Sequence, residues 1–123
     1  MLYSVLIYDS EALVDRLTPE EHGSRLERHV ALQDSLRREG DLGPVARLMP
    51  TSAAVTLKPP SGPTAEPLVM DGPFAETKEH LVGFYVMECD SLEEAVERAG
   101  RLPLESGALE VRPIAWFEPG NQP

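Results

Sequence analysis

Asp71-Gly-Pro-Phe-Ala-Glu-Thr-Lys-Glu79 passes through His80 into Leu81-Val-Gly-Phe-Tyr-Val-Met-Glu-Cys89, and these adjoining stretches decide how the chain is read. The first interrupts regular structure. Gly72 opens backbone angles closed to other residues, while Pro73 fixes its own angle and removes a donor, which predicts a tight turn. The second is apolar at both parities, with Tyr85, Met87 and Cys89 alternating against Val82, Phe84 and Val86. That pattern describes a central strand covered on both sides. Gly83 within it marks a bulge or a close approach by backbone or ligand.

The flanking sequence repeats the theme. Leu2 to Tyr8 reads as a second two-faced strand, with Tyr3, Val5 and Ile7 on one side and Leu2, Leu6 and Tyr8 on the other. Thr18-Pro-Glu-Glu21 is a helix start with a threonine cap, proline at the first helical position and glutamate closing the capping box. The helix is predicted to run to Glu39 and stop at Gly40. A 100° step puts Leu26, Val30, Leu32 and Leu36 on one side of it, with His22, His29 and Gln33 in the same arc.

Strands are predicted from Pro44 or Val45 to Leu48, from Ala53 to Lys58, and from Leu68 to Met70, the last returning to the core. Pro59 to Pro67, with four prolines and a glycine, reads as an exposed loop. Ser91 and Glu94 open a second helix with the stripe Leu92, Ala95, Val96, Ala99 and Leu102, ended by Pro103. Leu109 to Phe117 is a last strand, where Pro113 argues for an edge position or a bulge.

This order is the split βαβ pattern, an α+β fold of ferredoxin-like type whose two helices cover one face of an antiparallel sheet. Two-faced strands then leave an apolar sheet face uncovered. A homodimer packing sheet against sheet is the expected solution. One domain over residues 1–117 and a flexible tail over 118–123 are expected for a chain of 123 residues.

The formal charge of -10, from 21 acidic and 11 basic residues, argues against nucleic acid as a partner, because phosphate binding needs a basic footprint. No 18-residue apolar run exists to cross a membrane, and the start Met1 to Tyr8 lacks a basic leader, so a cytoplasmic location is the expectation. The single cysteine, Cys89, allows neither an intrachain disulfide nor a thiolate metal cluster and reads as buried packing. Glycine-rich phosphate loops, a serine elbow and paired-histidine zinc helices are missing, so no metal or cofactor is expected.

Candidate chemistry gathers around His29 and the turn. A neutral His29 imidazole on the inner stripe could hydrogen-bond a carboxylate such as Asp71 and act as a general base; otherwise it is a satisfied core histidine. Asp71 either orients that histidine or accepts backbone donors of its own turn. Phe74 walls a pocket or plugs the turn. Thr77 can donate to a substrate, and Lys78, or Arg112 from the last strand, can hold an anionic group.

Asp71 to Glu79, with Leu81-Val-Gly-Phe-Tyr85, Asp90-Ser-Leu-Glu-Glu-Ala95 and Glu110-Val-Arg-Pro113, closely resembles the DGPF proteins, a branch of the YCII-related family. The likeness extends from the Tyr8 strand to Trp116. It implies a dimeric ferredoxin-like α+β barrel and a pocket holding a histidine and an aspartate. His29 corresponds to that histidine. Asp71 is the candidate aspartate, although the wider family can draw it from another position. The resemblance implies two functions: a small enzyme with a His29–Asp71 acid–base pair for a small polar or anionic substrate, or a noncatalytic ligand-binding or regulatory homodimer associated with a sigma-factor system.

Overall fold

A computed structural model describes residues 1–63 and 66–121. The main sheet contains β1 (Leu2–Asp9), β2 (Leu42–Arg47), β5 (His80–Glu88) and β6 (Ala108–Pro113), in the order β2-β5-β1-β6. Each neighbouring pair is antiparallel. This is the ferredoxin-like arrangement anticipated from the pattern, with β5 inserted between the parallel strands β1 and β2. Pro113 lies on edge strand β6, where its missing N–H costs no ladder bond.

Helix α2 (Pro19–Glu39) begins at a Thr18 cap with a complete capping box and ends at Gly40 in the left-handed conformation. Helix α3 (Leu92–Ala99) is capped by Ser91, whose hydroxyl accepts from the Glu94 amide 3.1 Å away. Both helices lie on one sheet face. There Leu32, Leu36, Ala95, Ala99 and Leu102 pack against Tyr3, Val5, Ile7, Tyr85, Met87 and Cys89. Full burial of a leucine such as Leu32 or Leu36 contributes roughly 1.5–3 kcal/mol before entropy is counted.

Strand parity sends the remaining side chains to the opposite face. Leu6 pairs with Phe84, and Ser4 pairs with Val86, on the side that no helix covers. Leu6, Tyr8 and Phe84 are half-buried there.

Several expectations need correction. A short helix α1 (Glu11–Asp15), capped by Ser10, lies between β1 and α2, where no element was predicted. On α2, Leu26 and Val30 are exposed, and the inward stripe is instead Arg25, His29, Leu32, Gln33 and Leu36. The polar members of that stripe find partners, described below, so hydrophobicity alone misassigned the face. His22 also points outward. In α3 the arc is narrower than predicted: Leu92 and Val96 are exposed, whereas Arg98 is buried. Arg98 is held by Asp41 at 2.9 Å, by Glu39 and Glu94, and by the Glu88 carbonyl.

The largest departure is the connection from β2 to β5. After a short 3-10 turn (Thr51–Ala53), β3 (Val55–Lys58) and β4 (Leu68–Asp71) form a separate two-stranded sheet. Leu68 to Asp71 does not return to the core, because all four residues are exposed. The predicted 59–67 loop includes residues 64 and 65, and the predicted tail includes 122 and 123; those four lie outside the described residues.

Candidate functional site

His29 reaches its position because α2 places it four residues after Arg25 and three before Leu32, along the stripe that faces the sheet. Its Nδ1 lies 2.8 Å from Tyr85 Oη, and the rings stack with centroids 5.9 Å apart and planes inclined by 24°. Gln33, one turn further along the helix, donates Nε2–H to the same Tyr85 oxygen at 3.0 Å. Tyr85 is 1% exposed, so its own proton requires a protein acceptor. Nδ1 of His29 fills that role, which leaves the imidazole proton on Nε2.

Nε2 itself has no hydrogen-bond partner among the described residues. No buried side-chain nitrogen or oxygen there lacks a partner, so Nε2 meets solvent. Partial burial pushes the His29 pKa below 6.5, and the positive charges of Arg25, Arg28 and Arg47 push in the same direction. Burial raises the Tyr85 pKa above 10, opposed by the hydrogen bond from Gln33. A neutral imidazole bound to a neutral phenol is therefore the state at pH 7.

One helical turn before His29, Arg25 reaches a carboxylate that the sequence reading missed. Asp9 continues the inward parity of Tyr3, Val5 and Ile7 and is completely buried. It accepts backbone N–H bonds from Ser10 at 2.8 Å, Ser106 at 2.9 Å and Glu105 at 3.1 Å, and an ion pair from Arg25 at 3.3 Å. Arg25 also bonds Glu105 at 3.0 Å. Asp9 thereby ties β1, α2 and the loop before β6 together. Extending the period-2 count of β1 by one step would have found it.

Asp71 stands elsewhere. It ends β4, is exposed and pairs with Val55; no hydrogen bond joins it to His29 among the described residues. The turn after it is built as its residues dictate. Gly72 has φ +95°, donates to Ala54 O at 2.7 Å and accepts from the Thr56 hydroxyl at 2.8 Å.

Pro73, Phe74 and Thr77 line an open, largely apolar cleft of about 500 Å³, together with Tyr8, Met49, Thr51, His80 and Leu81. Phe74 is 81% exposed and is a wall of this cleft, not a plug, with Lys58 Nζ 6.0 Å from its ring centroid. Thr77 donates to the Glu79 carbonyl. On the far wall Thr51 gives its hydroxyl, at 2.6 Å, and its amide to Glu11, bonds that hold the Glu11 carboxyl below its usual range.

Lys78 is exposed and lies outside the cleft lining. Arg112 pairs with Ser4 in the ladder, hence on the uncovered sheet face, and its guanidinium bonds Glu110 at 2.7 Å. The sheet separates it from His29. Gly83 serves a close backbone approach: a Cβ there would lie 2.6 Å from the Ala46 carbonyl oxygen. No group of three metal-ligating side chains occurs among the described residues, and no helix among them is long and apolar enough to cross a membrane.

A four-stranded antiparallel sheet backed by helices, with a histidine–tyrosine pair on the helical side and a separate apolar cleft, defines a small ferredoxin-like α+β protein. The chain belongs to the YCII-related family, whose domain matches residues 1–118. It is 46% identical over 126 residues to an uncharacterised protein of Rhizobium meliloti (strain 1021), an alignment spanning 100% of this chain and 99% of the relative.

Proposed function

We propose that the protein is a small enzyme in which the His29–Tyr85 pair presents the Nε2–H of a neutral imidazole to an oxygen of a small polar substrate. The hydrogen bond from Tyr85 to Nδ1 carries this reading, because it fixes both the tautomer and the ring orientation. A donor already aimed at an oxygen on which negative charge develops stabilises the transition state without reorganisation. Its lowered pKa keeps the imidazole neutral, so the donor is available across neutral pH. Turnover of a metabolite mixture by the wild type and by His29→Ala, followed by mass spectrometry, tests the reading. Selective consumption of a compound by the wild type supports it, and identical profiles overturn it.

The same proposal includes a homodimer. Helices cover one sheet face, while Leu6, Tyr8 and Phe84 on the other are only half-buried, which favours a second copy as the cover. Light scattering at micromolar concentration is expected to give twice the chain mass of 13.5 kDa and to fall towards one chain mass in Phe84→Glu. A wild-type monomer would sink this part.

One observation favours a second reading, a noncatalytic ligand-binding or regulatory homodimer: the 500 Å³ cleft is lined without His29. A small molecule copurifying with the wild type but lost in Phe74→Ala would support it, as would specific capture of a sigma-factor component by the wild type. Neither result in native extract removes its support.

A further inference from the structure

We infer that Arg47 is the anchor for an anionic group, so that the molecule approaching His29 Nε2 is a small carboxylate or other oxyanion. This rests on the reading that His29 presents Nε2–H. Neither Lys78 nor Arg112, the cations the sequence offers for this role, shares a hydrogen bond with the His29 group, and Arg112 is across the sheet.

Arg47 is placed by register. It ends β2 opposite Gly83, two residues from the Val45–Tyr85 pair, so it has the same parity as Tyr85 and belongs to the helical side. The absence of a side chain at Gly83 lets β2 approach β5 this closely. His29 thus lies within the Coulombic reach of three arginines: Arg25, Arg28 and Arg47.

Their surroundings differ. Arg25 is neutralised by Asp9 and Glu105. Arg28 gives its Nε–H to the Arg101 carbonyl, and its charge meets no carboxylate within ion-pair distance among the described residues. Arg47 is exposed and has neither a hydrogen bond nor an ion pair from its guanidinium among them. Arg47 is set apart by its place: it lies on the sheet face of Tyr85, whose phenol bonds His29, and its guanidinium is unpaired among the described residues. The planar fork matches a carboxylate in two parallel bonds. Either an oxygen outside that fork, or a carboxylate oxygen shared with it, is then the acceptor for Nε2–H. Burial first, and then the field of the arginines, holds the His29 pKa down, and a bound anion opposes that field.

Nuclear magnetic resonance of the His29 imidazole tests this, with pyruvate, acetate and inorganic phosphate as probes and acetamide as the neutral control. Saturable shifts are expected with at least one anion and not with acetamide, accompanied by a rise in the His29 pKa. Arg47→Gln is expected to weaken that binding at least tenfold, and Arg47→Lys to restore part of it; the exposed position leaves the amide spectrum native. Equal affinity in Arg47→Gln, or no saturable shift with any anion, overturns the inference. Tyr85→Phe separates the two levels: if it leaves the His29 pKa unchanged while Arg47-dependent binding persists, the proton-donor reading fails and the anion site stands.

Discussion

His29 on α2 and Tyr85 on β5 are joined by a 2.8 Å bond between Nδ1 and Oη, with Gln33 occupying the other side of the phenol oxygen. Helix and sheet are thus connected through one shared proton. Replacing Tyr85 by Phe removes the donor that stabilises the neutral imidazole, so the His29 pKa is expected to rise, while burial and the three arginines still hold it below 6.5. Imidazole resonances followed from pH 4 to 8 give the answer, and an unchanged midpoint would contradict the assigned tautomer.

The pH dependence of stability follows from the same pair. His29 titrates below 6.5 when folded and near 6.5 when unfolded, so between those values the unfolded chain binds more protons and stability rises with pH. Tyr85, raised above 10, acts at the other end: above pH 10 the unfolded chain loses its proton first, and stability falls. Urea unfolding of the wild type and His29→Gln from pH 4 to 8 is expected to show a slope in their difference that flattens above about pH 6.5.

Asp9 is expected to be the most sensitive polar position in the fold. Asp9→Ala leaves backbone donors at Ser10, Glu105 and Ser106 without their acceptor and Arg25 without its buried partner. A loss of about 3–5 kcal/mol is expected from breaking such a pair. Denaturant unfolding measures it; a loss under about 1 kcal/mol would mean that water replaces the carboxylate.

Gly83→Ala tests the strand geometry. The new methyl would sit 2.6 Å from the Ala46 carbonyl oxygen, which forces β2 away from β5 and Arg47 with it. Destabilisation of about 1–3 kcal/mol is expected. Thermal melting together with amide exchange on β2 would register both effects.

The inward stripe of α2 is checked by a pair of truncations. Leu32→Ala removes a side chain only 1% exposed and is expected to cost about 2–5 kcal/mol, whereas Leu26, 64% exposed, is expected to change stability by under about 0.5 kcal/mol. Equal costs would return Leu26 to the core side.

Local chemistry was legible in the sequence. The capping box at Thr18 and Glu21, the stop at Gly40, the edge proline Pro113 and the two-faced strands β1 and β5 all depend on residues close together in the chain, and they led to the ferredoxin-like order. The Asp71–Glu79 turn was located as well. Its relation to His29 was not, since Asp71 ends a separate hairpin whose strands the sequence could not distinguish from main-sheet strands.

By itself, then, the sequence determined where α2 and α3 begin, which faces of β1 and β5 are apolar, and that His29 points inward. Periodicity and capping operate over a few residues. Which carboxylate is buried, which phenol bonds His29 and which arginine shares the sheet face of that phenol were decided by tertiary structure. Asp9 meets Glu105 across 96 residues, His29 meets Tyr85 across 56, and Arg47 reaches Tyr85's side through strand register. Burial and partnership are properties of the packed chain, and no local rule assigns them.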